Sequence, residues 1–198
     1  MLPPTYFDAL YDSSADPWGF EDRWYEQRKR ALTLALLPAP HYRRVFEPGC
    51  SIGVLTRELA PRCDSLLATD VAQSAVAATK QRCAELPHVQ VERAALPEAW
   101  PEGDVDLVVL SEVVYYLSCD EATALAQKVF ASAHTAVAVH WRHEVPDYPL
   151  SGDEVHGLLD GEAERAGLTR LALHVEPDLI AAVWSRDSRS VAEREGLT

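Results

Sequence analysis

The chain of 198 residues lacks the features that would place it in a membrane or on a nucleic acid. It has no run of eighteen apolar residues, and Met1-Leu2-Pro3-Pro4 contains neither the basic nor the apolar region of a signal peptide. Basic residues number 18 against 31 acidic ones, which gives a formal charge of -13. Nucleic acids and anionic membranes attract basic surfaces. We therefore expect a cytoplasmic protein without nucleic-acid or membrane partners.

Cysteine pairs are also missing. Cys50, Cys63, Cys83 and Cys119 lie at wide, irregular spacings, with no C-x-x-C pair and no histidine cluster suited to zinc. We expect reduced, mostly buried thiols and no metal site. The length allows one sizeable core but not two comfortable domains, so a single domain is predicted.

Apolar runs alternate with helical patterns, which indicates a mostly parallel α/β sheet. The predicted strands are Arg44 to Glu47, a run ending at Asp70, Val89 to Glu92, Val105 to Leu110, Thr135 to Trp141, Leu168 to Val175 and Leu179 to Trp184. Predicted helices cover Phe20 to Leu37, the segment after Gly53, Ala72 to Leu86, and two segments that start at the S-x-x-E capping boxes Ser118/Glu121 and Ser151/Glu154. Only three residues separate the last two strands, so that pair must be antiparallel.

The most informative segment is Val45 to Thr56, where one strand leads through a glycine loop into a helix. Glu47 ends the strand, and Gly49 and Gly53 let the backbone approach a ligand closely. The next strand ends at Asp70, about twenty residues on, where a carboxylate can accept hydrogen bonds from a ribose diol. This pattern predicts a nucleoside-binding site.

The glycine spacing distinguishes between two kinds of cofactor. A dinucleotide fingerprint reads G-x-G-x-x-G, whereas Ser51 and Val54 stand where its second and third glycines belong. The segment E-x-G-x-S-x-G instead resembles the first motif of class I S-adenosylmethionine-dependent methyltransferases, with Ser51 replacing one of three usual glycines. Because that cofactor has no phosphate, its loop need not wrap a pyrophosphate.

This resemblance implies a three-layer Rossmann-like class I methyltransferase fold. Its seven-stranded sheet has the order 3-2-1-4-5-7-6 and ends in an antiparallel C-terminal hairpin. We expect the methyltransferase domain to span residues 1–184, with residues 1–40 forming an N-terminal arm and helix over the cofactor site. Residues 185–198 are expected to form a polar, mobile tail. A monomer is the favoured oligomeric state.

Longer segments narrow the resemblance. Asp16-Pro17-Trp18, Tyr25 to Lys29, Glu47 to Thr56, Leu110 to Leu117, and His140 to His156 together resemble the NodS-like family up to about Trp184. The resemblance implies S-adenosylmethionine-dependent N-methylation of a small molecule, and the expected acceptor is an amine on a sugar or oligosaccharide-like scaffold. O-methylation of another small metabolite is the alternative.

The expected cofactor-binding residues surround the glycine loop and the neighbouring strand ends. They are Trp18, Glu47, Gly49, Cys50, Gly53, Asp70, Val71, Leu96 and Ser111. Many relatives contact the adenine amino group with an acidic residue after strand 3, but this chain has Arg93-Ala94-Ala95-Leu96 there. Backbone groups or Leu96 are therefore expected to hold the adenine. Lys29 and Arg30 are expected to be solvated rather than to bind the methionine carboxylate.

Acceptor chemistry is expected beyond the carboxyl ends of strands 4 and 5, where ligands of open α/β sheets bind. An ammonium must lose its proton before it attacks a methyl group, so Glu112 and His140 are the candidate bases or amine-orienting groups. Tyr115, Trp141 and Tyr148 are candidate acceptor-binding residues, because aromatic faces suit sugar rings and sulfonium groups. His156 is the fourth candidate, as a further base or amine-orienting group.

Two other protein classes fit less well. A nucleotide-dependent oxidoreductase uses a similar sheet but needs a phosphate-binding loop that this sequence does not supply. A catalytically silent S-adenosylmethionine-binding protein would keep Gly49, Gly53 and Asp70 while losing polar groups on the acceptor side. Glu112 and His140 are present here.

Overall fold

The computed structural model describes residues 1–97 and 100–198. Seven strands form one sheet: β1 (Tyr42–Pro48), β2 (Cys63–Asp70), β3 (Val89–Arg93), β4 (Val105–Ser111), β5 (Ala133–Trp141), β6 (Thr169–Val175) and β7 (Leu179–Ser185). The helices are α1 (Pro4–Ser13), α2 (Trp24–Leu36), α3 (Val54–Leu59), α4 (Gln73–Arg82), α5 (Cys119–Ser132), α6 (Gly152–Arg165) and α7 (Val191–Arg194).

The predicted strand order is confirmed. The sheet runs β3-β2-β1-β4-β5-β7-β6, with β7 antiparallel to both of its neighbours and the remaining pairs parallel. Because β1, β2, β4 and β5 are parallel, their carboxyl ends all lie at the same edge of the sheet.

The central strand β4 carries a core on each face of the sheet. Val108 and Leu110 pack in one apolar cluster with residues of α5 and α6, and Leu107 and Val109 pack in another with residues of α3. Successive side chains of a strand point to opposite faces, so this unbroken apolar run is buried on both sides. The result is the expected arrangement of three layers.

Both predicted capping boxes are present. The hydroxyl of Ser118 accepts from the Glu121 backbone N–H, and that of Ser151 accepts from the Glu154 backbone N–H. In each case the glutamate side chain returns to the serine backbone N–H. These reciprocal bonds satisfy backbone donors that the first turn of a helix leaves free.

The N-terminal arm differs from the expectation, because it contains the helix α1. Pro4 stands at its first turn, where a missing N–H does no harm, and Phe7 and Tyr11 are buried against the core. The second helix also begins later than predicted, at Trp24. Before it, the Asp16 carboxylate accepts from the backbone N–H groups of Phe20 and Glu21 and holds a non-helical turn.

The C-terminal residues also contain a short helix, α7, which Ser190 caps. No helix among the described residues is long and apolar enough to cross a bilayer. The predicted site residues gather at one edge of the sheet, beneath α1 and α2.

Candidate active site

A cavity of about 580 Å³ opens at the carboxyl edge of the sheet. The ends of β1, β2, β4 and β5 form its floor, and α1, α2 and the segment between them form its roof. Twelve of the fifteen predicted site residues line it: Trp18, Glu47, Gly49, Cys50, Asp70, Val71, Leu96, Ser111, Glu112, Tyr115, Trp141 and Tyr148. The size is typical of a site for a cofactor-sized molecule.

The glycine loop after β1 is shaped by Asp70. Its two carboxylate oxygens accept from the backbone N–H groups of Ser51 and Ala72, each at 2.9 Å. Gly49 adopts φ +74°, and a Cβ there would lie 2.9 Å from Cγ2 of Val113. The loop thus needs glycine at this position for both its conformation and its close approach to the β4 side of the cavity.

Gly53 has a different role from the one expected, because it does not line the cavity. It precedes α3 with φ +77°, and a Cβ there would lie 2.7 Å from Cγ2 of Thr79 on α4. Thr79 in turn donates to the Ser51 carbonyl at 2.6 Å. Gly53 therefore lets α4 pack against the loop and acts on the cavity only through that packing.

Glu47 provides a buried carboxyl group at the end of β1. It is 2% exposed, and its Oε2 atom has no hydrogen-bond partner among the described residues. Burial, with the neighbouring Asp70 charge, raises the pKa of Glu47 to about 8. A buried, unsatisfied carboxyl on a cavity wall is a suitable partner for a cationic group.

One end of the cavity is apolar. Val71, Ala94 and Leu96 line it on the β2 and β3 side, and Trp18, on the N-terminal segment, also lines the cavity. Trp18 packs edge-on against Tyr11, with 5.7 Å between ring centroids. This end of the cavity therefore offers apolar side chains of the kind that pack against an adenine ring.

Sequence reasoning missed Tyr11, which ties α1 to the glycine loop. Its hydroxyl lies 2.5 Å from Oγ of Ser51, and its side chain lines the cavity. Phe20, Tyr25 and Glu26 also line the cavity and were not predicted. The apolar and aromatic positions of the first 26 residues were the available signal, but nothing local showed which part of the sheet they would cover.

The opposite end of the cavity is organised around Glu112, which directly follows β4. Its Oε1 accepts from Nζ of Lys29 at 2.9 Å, and its Oε2 accepts from the Trp141 backbone N–H at 2.9 Å and from the Tyr115 hydroxyl. The Glu112 backbone adopts φ +56°, a conformation that residues other than glycine rarely adopt. Such strain is typical of positions that hold a side chain in a functional orientation.

Lys29 and Arg30 correct the expectation of two solvated side chains. Lys29 is 4% exposed and pairs with both Glu26 and Glu112. Arg30 donates to Oε1 of Glu58 at 2.9 Å and to the Phe20 carbonyl at 2.7 Å. Both cations are buried because α2 lies across the sheet edge and brings them to partners that are distant in sequence.

His140 and His156 lie behind the cavity wall, which corrects the prediction that they meet the acceptor directly. Nδ1 of His140 and Nε2 of His156 are 3.2 Å apart, and Nε2 of His140 accepts from the Val114 backbone N–H. Burial lowers the pKa of His140 to about 3 and that of His156 to about 2. The His140 ring supports Tyr115, with 5.2 Å between centroids, because its strand position points away from the cavity.

The strand order, the glycine loop after β1 and the carboxylate after β2 define a class I methyltransferase, the class that uses S-adenosylmethionine. Residues 11–146 match the family model for Nodulation protein S (NodS). The chain belongs to the NodS family.

Two curated relatives carry the name Nodulation protein S. The one from Sinorhizobium fredii (strain NBRC 101917 / NGR234) is 32% identical over 145 residues, covering 66% of this chain and 67% of the relative. The one from Rhizobium tropici is 30% identical over 142 residues, covering 65% of this chain and 59% of the relative. The match to the second relative thus spans less than two thirds of its length.

Solved structures show the same fold. A provisionally assigned methyltransferase from Pseudomonas syringae is 44% identical, with a TM-score of 0.72, and the match covers 83% of this chain and 100% of that one. N-methyltransferase NodS from Bradyrhizobium japonicum WM9, in complex with S-adenosyl-l-homocysteine, has a TM-score of 0.81 at 22% identity, covering 92% of this chain and 98% of that one. The latter similarity concerns the fold.

Proposed function

We propose that this enzyme binds S-adenosylmethionine in the cavity and methylates an amine on a small, sugar-like acceptor. Membership of the NodS family supports the reaction class, and the Bradyrhizobium japonicum relative is an N-methyltransferase. An amine is the proposed acceptor group because the Glu112 carboxylate is held in a fixed position among aromatic residues of the cavity.

The residues present fit the cofactor. Asp70 uses its oxygens for two backbone bonds, but a carboxylate has about four acceptor positions, so it can also accept from a ribose diol. Val71 and Leu96 suit the adenine, and the buried carboxyl of Glu47 suits the ammonium of the methionine moiety. Arg23 lines the cavity with an exposed side chain and is the candidate partner for the methionine carboxylate.

When bound, S-adenosylmethionine supplies a methyl group activated by its sulfonium. The chain's own residues then need to align the acceptor, keep water out and remove a proton from an ammonium. The Tyr115 hydroxyl and the Trp141 backbone N–H hold one oxygen of Glu112 in place. Glu112 is therefore the candidate proton acceptor, and Tyr148 and Trp141 are the candidate walls for the acceptor scaffold.

The cofactor proposal is tested by calorimetric titration with S-adenosylhomocysteine. Asp70→Ala should weaken binding by about one to two decades, because a charge-assisted hydrogen bond contributes roughly 1.5 to 3 kcal/mol. Asp106→Ala is the matched control, since Asp106 accepts from the Arg44 backbone N–H at 2.8 Å and does not line the cavity. Equal affinity in both variants would remove Asp70 from the cofactor site.

The acceptor proposal is tested with a panel of amines that includes glucosamine and partly deacetylated chitooligosaccharides, with products identified by mass spectrometry. Glu112→Gln should lower turnover by about two to four decades while the affinity for S-adenosylhomocysteine barely changes, because general base catalysis contributes that much to the rate. O-methylated products only, or cofactor binding without turnover on any acceptor, would contradict the proposed reaction.

A further inference from the structure

Three charged side chains meet at the acceptor end of the cavity. Nζ of Lys29 lies 2.8 Å from Oε2 of Glu26 and 2.9 Å from Oε1 of Glu112. The side chains of Glu26, Lys29 and Glu112 are 7%, 4% and 12% exposed, and all three line the cavity. We call them the Glu26–Lys29–Glu112 network.

The network is fixed from several sides. Glu112 is held by Tyr115 and by the Trp141 backbone, and Nζ of Lys29 lies over the ring of Tyr25, 5.3 Å from its centroid. Although burial alone would lower it, the pKa of Lys29 is raised, because two carboxylates surround the ammonium. Lys29 therefore stays charged. Few rearrangements are available to a buried group with this many partners.

The charges of the network do not cancel. Burial raises the pKa of Glu26, and the Lys29 ammonium beside it opposes that shift. With both carboxylates ionised, two negative charges face one ammonium, which leaves one negative charge at the acceptor end of the cavity. Arg30 does not neutralise it, since its guanidinium is bonded to Glu58 and to the Phe20 carbonyl. In a partly dehydrated cavity, an uncompensated charge attracts a ligand of opposite sign more strongly than it would in water.

We propose that Glu26 and Lys29 are positioning residues that orient Glu112 and set the network charge, so that the site selects acceptors that arrive as ammonium ions. This inference rests on the proposed function. Lys29 holds Oε1 of Glu112, and Glu26 supplies the charge that Lys29 would otherwise cancel. The selectivity is thus a property of three residues rather than of Glu112 alone.

The chemistry balances with the groups named. The acceptor ammonium transfers a proton to the Glu112 carboxylate and becomes a neutral amine. Its nitrogen lone pair then forms the N–C bond to the methyl group while the C–S bond breaks, and that electron pair stays on sulfur. The product is a methylated ammonium that keeps its own protons, and Glu112 regains its carboxylate by releasing to solvent the proton it took from the acceptor.

The test uses a cation that does not require a known acceptor. Sinefungin resembles S-adenosylmethionine but carries an amine on the carbon that replaces the methylsulfonium, whereas S-adenosylhomocysteine has no charge there. The ratio of their dissociation constants, measured by calorimetry at pH 7.5, reports the charge near the transferred group. We expect the unaltered protein to bind sinefungin about ten-fold more tightly, since one unpaired charge acts at short range.

Glu26→Gln should lower this preference about ten-fold, because Lys29 would then cancel Glu112. The double variant Glu26→Gln/Lys29→Met should restore it, because Glu112 again carries one uncancelled negative charge and is still held through Oε2 by Tyr115 and the Trp141 backbone N–H. Replacing a buried ion pair by neutral groups of similar volume is often tolerated, so the double variant tests the inference even if Glu26→Gln does not fold. Glu176→Gln is the matched control: it removes the carboxylate partner of Arg28, another α2 cation, outside the cavity.

If Glu26 had only a structural role, Glu26→Gln would weaken the binding of both ligands equally. Adding Lys29→Met would then not restore the preference for sinefungin. An unchanged preference in Glu26→Gln, or a lost preference in the double variant, would overturn the inference. Binding of both ligands to the unaltered protein without preference would overturn it as well, with the cofactor site intact. Failure to bind either ligand would instead overturn the proposed function on which it rests.

Discussion

Glu47 makes cofactor binding sensitive to pH in a direction that the structure determines. Because burial raises its pKa to about 8, the carboxyl of the free protein is mostly protonated at pH 7. A ligand ammonium beside it favours the ionised form. Binding should therefore release a proton, and affinity should increase as pH rises towards 8.

The size of the effect follows from linkage. If the bound ligand keeps Glu47 ionised down to pH 6, the affinity at pH 6 should be about 50-fold lower than at pH 8, since the free carboxyl must first lose its proton. The same argument gives a release of about 0.9 proton at pH 7. At pH 8 the release should fall to about 0.5 proton, and by pH 9 it should be about 0.1 proton, with a correspondingly flat affinity.

Calorimetric titration with S-adenosylhomocysteine measures both quantities. Titrations at pH 6, 7 and 8 give the affinity, and buffers of different ionisation enthalpy at pH 7 give the number of protons released. Glu47→Gln should abolish the pH dependence between pH 6 and 8. Glu162→Gln is the matched control, because Glu162 is also a buried carboxylate but pairs with Arg165 away from the cavity.

An affinity that stays constant from pH 6 to pH 8, without proton release, would refute the reasoning. It would mean either that Glu47 is already ionised in the free protein or that its proton is retained in the complex. Proton release that persists in Glu47→Gln would assign the titration to another group.

Two further predictions concern stability. Gly53→Ala should lower the free energy of unfolding by about 2 to 4 kcal/mol, because the alanine would have a strained backbone and would clash with Thr79. Gly167 also has a positive φ, +76°, but open space around it, so Gly167→Ala should cost only about 1 to 2 kcal/mol. Equal losses of stability in urea denaturation would contradict the packing role of Gly53. For His156, the folded pKa of about 2 lies below the unfolded value near 6.5, so its stabilising effect is present above pH 6.5 and is lost as pH falls. The stability difference between the unaltered protein and His156→Asn should therefore be about 1.4 kcal/mol smaller at pH 5.5 than at pH 8, and an unchanged difference would show that His156 is not buried as a neutral ring.

The sheet and the cofactor loop could be predicted because their signals are local. Val105 to Leu110 is an unbroken apolar run, and the glycines after Glu47 and the carboxylate at Asp70 stand at fixed distances along the chain. The antiparallel pairing of β6 with β7 also followed from the three-residue connection between them. Each of these features depends on a few consecutive residues and on general rules of chain geometry.

The acceptor end could not be predicted in the same way, because its partners are distant in sequence. Lys29 meets Glu112 across 83 positions, and no property of α2 alone shows that a lysine on it will be buried. His140 and Trp141 are consecutive residues at the end of β5, yet only Trp141 lines the cavity. Successive side chains of a strand point in opposite directions, but only the tertiary structure shows which of the two side chains faces the cavity.

The N-terminal segment contacts both ends of the cavity. Tyr11 bonds to Ser51 of the glycine loop, whereas Lys29 bonds to Glu112 beyond β4. Arg28 adds a charge-assisted bond to Glu176 at 2.8 Å, which ties α2 to the turn before β7. One continuous stretch of chain thus bonds to three separate parts of the sheet edge. A change in the position of α2 would therefore disturb Glu112 and the acceptor end directly, while the cofactor loop would retain Asp70 and its two backbone bonds.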